Sequence, residues 1–300
     1  MNATVVRQAE AGDAARGPWR EGPARVALPG GRWRWQHGPI DLVIAAEGRS
    51  TAVERTLQQA WVRFGALLAE LALELRLLRR AVQDATAVRG PVARRMVAAC
   101  WPHRAVFVTP MAAVAGAVAD ELIDAFRAEP AIARAYVNNG GDIALHLGAG
   151  ERYRIGLFAD IGRVRRGERW RLDGDFELHA EMPGRGVATS GWRGRSFSLG
   201  IADSVTVLAG CAAEADAAAT LIANAVNVDH PAVQRCPASA LKDDTDLGDR
   251  LVTVEVGTLS DAAVNAALDA GAAVAARMIE QGLIRAATLW LQGRNRTRTD

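Results

Sequence analysis

Hydrophobic and polar positions along the 300 residues change period several times, and each change predicts an element. RVALPGGRWRWQ (25–36) alternates on both sides of Pro29-Gly30-Gly31, the pattern of a β-hairpin. Trp33 and Trp35 fall on one face of its second strand, Arg32 and Arg34 on the other. DLVIAA (41–46) predicts another strand. From Thr51 the period becomes helical and runs to about Asp84, with Thr51 and Glu54 spaced as a capping box. Pro91 and Pro102 break up residues 85–107, which show no clear period. Thr109-Pro110 reads as a cap followed by a first-turn proline. In the helix they start, Ala112, Ala113, Ala115, Gly116 and Ala119 leave one flank nearly bare, suited to close packing or to a flat ligand.

Strand-like runs follow at 135–148, 152–159, 170–179, 185–189 and 203–210, then a small-residue helix, EADAAATLIANAV. Residues 229–249 are polar and loop-rich, and RLVTVEV, a helix over 260–281 and IRAATLWLQ complete the pattern. Residues 1–24 read as a poorly ordered lead-in, 25–292 as one domain and 293–300 as a frayed tail. Strands and helices mix without βαβ alternation, so the expected fold class is α+β in a single domain.

Composition narrows the function classes. Half the residues are hydrophobic and 23% are charged, the profile of a soluble globular chain. A net charge of +2 gives no general case for nucleic acid or an anionic membrane as partner. Cys100, Cys211 and Cys236 are far apart and form no CxxC, and Cys100 with His103 is too small a set for a metal site. The first residues lack a secretory apolar stretch. The apolar run 60–78 carries Arg63, Glu70, Glu74 and Arg76, so it reads as amphipathic rather than membrane-spanning. These features together read as cytoplasmic.

Three clusters carry candidate chemistry. In NNGGDI (138–143), Asp142 sits at a strand mouth beside Gly140 and Gly141, where bare backbone lets a nucleotide approach or simply makes a turn. His146 is about 13 Å along the same strand, too far to pair with Asp142. Thr189, Ser190 and Gly191 open a segment of hydroxyls and small residues that fits neither a P-loop nor GxSxG. In ADAAAT, Asp216 and Thr220 are four apart on a helix and share a face. An oxygen-seeking cation such as Mg²⁺ would accept such a pair, completed by a substrate phosphate.

In this order the clusters resemble the ApbE superfamily of FAD:protein FMN transferases, and most closely its cytoplasmic uncharacterised branch. The resemblance rests on PMAAVAGA (110–117), NNGGDI (138–143), SFSLGIADSVTV (196–207) and ADAAAT (215–220), and covers residues 40 to 290 roughly. It implies a cleft for FAD or a related nucleotide lined by Met111, Ala112, Asn139, Gly140, Gly141, Asp142, Thr189, Ser190 and Gly191. It further implies Mg²⁺ held by Asp216 and Thr220, and a protein acceptor for the transferred FMN. The chain lacks the transferases' H-x-x-D-P-x-T-G segment, and Arg195 stands where the branch usually has a histidine. A ligand-binding module without catalysis, or an accessory protein of sulfur assimilation, therefore stands beside the transferase reading. Self-association is left open.

Overall fold

The computed structural model describes residues 4–5, 22–85, 87–157 and 173–300. Strand β1 (Thr4–Val5) precedes a hairpin of β2 (Ala24–Leu28) and β3 (Arg32–His37), and β4 (Ile40–Gly48) leads into the long helix α1 (Ser50–Leu78). Helices α2 (Pro91–Cys100) and α3 (Val114–Arg127) come next. A run of strands follows: β5 (Ile132–Asn139), β6 (Asp142–Leu147), β7 (Arg152–Leu157), β8 (Gly174–His179), β9 (Gly186–Ser190) and β10 (Ser204–Ala209). The chain then forms α4 (Ala212–Ala225), β11 (Val233–Pro237), the single turn α5 (Ala238–Leu241) and β12 (Leu251–Val256). Helix α6 (Asp261–Glu280), β13 (Ala286–Leu291) and β14 (Arg294–Thr299) complete it.

Nine of these strands form one antiparallel sheet in the order β14-β13-β10-β9-β6-β5-β4-β3-β2. Helices cover one face, where Leu42, Ile44, Val137, Ala144, Val205 and Val207 meet Phe64, Leu122, Ile123, Ile222 and Leu268 in the main core. On the other face Tyr136, Ile143, Leu145 and Leu147 pack with Tyr153, Ile155 and Leu178 of a small sheet, β1-β7-β8. Alternation in β6 therefore sorts residues between two cores, not between core and water. This is the α+β single-domain architecture expected.

The hairpin behaves as its alternation requires. Trp35 is buried against Trp61 and Phe64 of α1, while Arg34 pairs with Asp41 at 2.8 Å on the opposite face. Several other expectations are corrected. Helix α1 starts at Ser50 with no side-chain cap, because Arg49 N–H is held by the Ala131 carbonyl and the helix leaves straight from the β4–β5 pairing. It ends at Leu78 rather than near Asp84, since Val82 N–H turns away to the Val108 carbonyl. Pro91 begins a helix instead of breaking one; Glu74 accepts the Arg89 and Gly90 N–H groups just before it. Thr109 caps nothing, because its hydroxyl donates to Asp246. The supposed frayed tail is β14, paired with β13 along its whole length. The lead-in over 1–24 lies mostly outside the described residues.

Among the described residues one helix, α6, is long and apolar enough to cross a membrane by length and composition. Its apolar residues instead recur at helical spacing (Val264, Ala267, Leu268, Gly271, Ala275, Met278) and are buried against the protein.

Where α3 and α4 cross, the bare flank of α3 is used for packing. A Cβ at Gly116 would collide with the Ala212 carbonyl, so the two backbones meet there with no side chain between them. The helices also cap one another. Asp120 of α3 accepts from Ala212 and Ala213 N–H at 3.0 and 2.8 Å, the first amides of α4. Asp216 of α4 accepts from Gly116 N–H at 3.0 Å in the first turn of α3. Burial pushes the Asp120 carboxyl above its usual range, opposed by its two amide donors.

Gly116→Ala should lower stability by about 1–3 kcal/mol, because the methyl must force α4 away. Asp120→Ala should cost a similar amount, roughly 1–3 kcal/mol, by orphaning two buried amides. Urea or thermal unfolding measures both; wild-type stability in either variant would contradict this packing.

Candidate functional site

A cleft of about 390 Å³ opens where the crossing of α3 and α4 meets the ends of β6 and β9. Met111, Ala112, Gly140, Asp142, Thr189, Ser190, Gly191, Asp216 and Thr220 all line it. These positions come from four distant stretches of chain, and the fold brings them to one cleft.

The β5–β6 turn is made by Gly140 and Gly141, both at positive φ (68° and 118°). Asn138 and Asn139 hold the turn. Asn138 Oδ1 accepts the Gly141 N–H at 2.8 Å, and Asn139 Nδ2 donates to the Ala115 carbonyl at 3.1 Å, tying the turn to α3. Asn139 and Gly141 stand behind the residues that line the cleft, Gly141 closing the turn and Asn139 tying it to α3. Asp142 opens β6, and its Oδ1 accepts the Thr189 N–H at 3.3 Å, which joins the GGD and TSG segments. The Thr189 hydroxyl reaches that of Thr206 on β10 at 3.0 Å. Gly191 must be bare because a Cβ would strike the Asp203 carbonyl.

Across from this turn, Asp216 projects from α4 with Thr220 one turn further along. The Asp216 carboxyl is pushed well above the usual carboxylate range, first by burial and then by the charge of Asp142. Backbone N–H groups of Gly116 and Ala115 pull it partly back. Among the described residues no group of three His, Cys, Asp or Glu forms a metal cluster. The donors on offer are oxygens: the Asp142 and Asp216 carboxylates and the Thr220 hydroxyl. That set fits a hard cation that takes one or two carboxylates and completes its shell with phosphate and water. Cys100 lies buried behind the cleft with its thiol on the Thr109 carbonyl at 3.4 Å, and burial pushes that thiol up. His146 sits away from the cleft, against the Ile132 carbonyl at 3.2 Å.

Sequence reading missed the cleft's other side. The run Lys242–Leu247, taken for an ordinary loop, is strapped down by Asp246 to Thr109 and by Asp244 to Arg79 at 2.8 Å. Lys242, the chain's single lysine, pairs with Asp244 at 3.6 Å. Phe107 also lines the cleft, with the Arg250 guanidinium stacked 3.2 Å from its ring centre. The only signal was three aspartates in a short polar run, a pattern that solvent-facing loops share.

Comparison with known proteins places the chain. A family model described as "AbpE bacteria" matches residues 25–297. The UPF0280 protein of Methanothrix thermoacetophila is 36% identical over 140 residues, which is 46% of this chain and 54% of that protein. The UPF0280 protein of Methanopyrus kandleri is 40% identical over 136 residues, or 43% and 48% of the two chains. The chain thus spans about half the length of the curated relatives it matches. The flavin transferase ApbE from Vibrio cholerae aligns over 93% of this chain and 97% of its own, at 13% identity and a TM-score of 0.39. That likeness is too distant to support an argument about residues or activity. The family match over 25–297 is decisive on its own: this chain belongs to the AbpE family of bacteria.

Proposed function

We propose that the cleft binds a flavin nucleotide, FAD or a close relative, and promotes cleavage or transfer at its pyrophosphate with the help of a divalent cation such as Mg²⁺. One observation carries this reading: Gly140, Asp142, Thr189, Asp216 and Thr220 share one cleft although they lie up to 80 residues apart in sequence. Asp216 and Thr220 would hold the cation, with Asp142 opposite. When bound, such a cation neutralises charge developing on a bridging phosphate oxygen. The chain's own residues do the rest. The Gly140 turn borders the phosphates, and the Thr189–Gly191 segment supplies hydroxyls and a small surface beside them. Met111 and Phe107 offer apolar contact for a ring. No histidine lines the cleft among the described residues, so a proton released in the reaction must pass to a carboxylate or to water.

A second reading has its own support. Asp216 already serves α3 as a cap, which would explain its place without any metal. A module that holds the nucleotide without cleaving it is therefore the alternative.

Incubation with FAD and Mg²⁺ separates the two, with AMP and FMN release followed by chromatography. The proposal expects metal-dependent release that falls more than about 100-fold in Asp216→Ala. Because that change also uncaps α3, Thr220→Val, which touches no cap, should lose roughly tenfold by itself. Tight FAD binding without release selects the binding module; neither binding nor release removes the flavin reading.

Asp216 should also cost stability. Its carboxyl is raised, so the folded state binds the proton more tightly than the unfolded chain, and its contribution declines as pH rises above the ordinary carboxylate range. Asp216→Asn keeps an acceptor for Gly116 N–H but cannot ionise. Its melting temperature should exceed that of the wild type at pH 8, with the gap closing toward pH 4. An equal gap at both pH values would show that Asp216 does not titrate as argued.

A further inference from the structure

Four cationic side chains line the cleft, and three are already committed. Arg79 and Lys242 both face Asp244, at 2.8 and 3.6 Å. Arg193 pairs with Asp203 at 3.4 Å and stacks on Trp192, 4.5 Å from the ring centre. Arg195 differs. Its guanidinium has no carboxylate partner among the described residues and rests against Gly140, in the space a side chain there would occupy. The absence of a Cβ at Gly140 thus does two things: it permits φ of 68°, and it leaves a seat for Arg195. The seated group is a planar, permanently charged fork beside the half-buried Gly140, the geometry that matches phosphate oxygens in pairs.

We infer that Arg195, seated on Gly140, is the cleft's anion-holding residue and positions the phosphates of the ligand. This rests on the proposed reading only in taking the ligand to be phosphorylated. It also gives Arg195 a role distinct from that of a histidine: a fixed positive charge that orients the ligand and transfers no proton.

Inorganic pyrophosphate with Mg²⁺, titrated calorimetrically into the full chain, is the probe. Arg195→Gln should weaken its binding about tenfold or more, the loss expected for a charge-assisted contact. Arg195→Lys should recover part of that loss, since it restores charge without the fork. Gly140→Ala should weaken pyrophosphate as well by unseating Arg195, and the double variant should be little worse than either single one. Thermal melting checks that each variant is folded; if Gly140→Ala unfolds, the exposed Arg195 variants still decide. Unchanged affinity in Arg195→Gln, no rescue by lysine, fully additive losses, or a wild type that ignores millimolar pyrophosphate would each overturn the inference. Arg195-dependent pyrophosphate binding in a protein that neither binds nor cleaves FAD would keep it and remove the flavin reading instead. FAD cleavage indifferent to Arg195 would do the reverse.

Discussion

Every helix begins with amides that have no partner inside it, and burying such an end is costly unless something outside supplies acceptors. Here two helices begin beside one another in the interior, and each supplies the other's acceptor. Asp120 leaves α3 to meet the first amides of α4, and Asp216 leaves α4 to meet those of α3. The exchange works only at very short separation, which the bare Gly116 against the Ala212 backbone provides. Both helix axes, and the position of β6 and β9 against them, are fixed by that contact. The cleft is the space left over at its margin.

This arrangement explains why Asp216 is unusual. A capping carboxylate is normally comfortable, because amide dipoles favour its charge. At this site the favour is outweighed by burial and by Asp142 across the gap. A structural cap has been placed where its charge is poorly accommodated, and such tension is characteristic of binding sites. The cations around the rim do little to relieve it, since Arg79, Lys242 and Arg193 are occupied by Asp244 and Asp203.

Sequence legibility followed the range of the forces involved. The Trp33-Trp35 hairpin, the strand over 203–210 and the small-residue helix holding Asp216 were readable, because local alternation or spacing is enough to define them. The caps at Thr51 and Thr109 were not, because distant backbone and Asp246 set those junctions. β14 was misread for a related reason: a strand of arginines and threonines has no apolar face, and only its pairing with β13 orders it. In the site, Gly140, Asp142, Asp216 and Thr220 were legible as a set through the order of their motifs. Asn139 and Gly141 share those motifs, and their hydrogen bonds hold the turn and its tie to α3. Nothing local in Lys242–Leu247 tells a cleft wall from any polar loop, so its role emerges only from the strap to Thr109 and Arg79.

Among the described residues the main sheet is open at both ends, with β2 at one edge and β14 at the other. Edges at opposite ends of one sheet have the geometry for head-to-tail addition of copy upon copy, which grows into an open filament unless its rotation happens to close a ring. Strand β14 meets this hazard with Arg294, Arg296 and Arg298, and β2 presents Arg25. Arg294 and Arg296 are paired with Asp261 and Asp269, and stacking the two edges would strip water from these charged groups. The same arginine-rich composition that hid the last strand from sequence reading thus guards the protein against becoming a fibre.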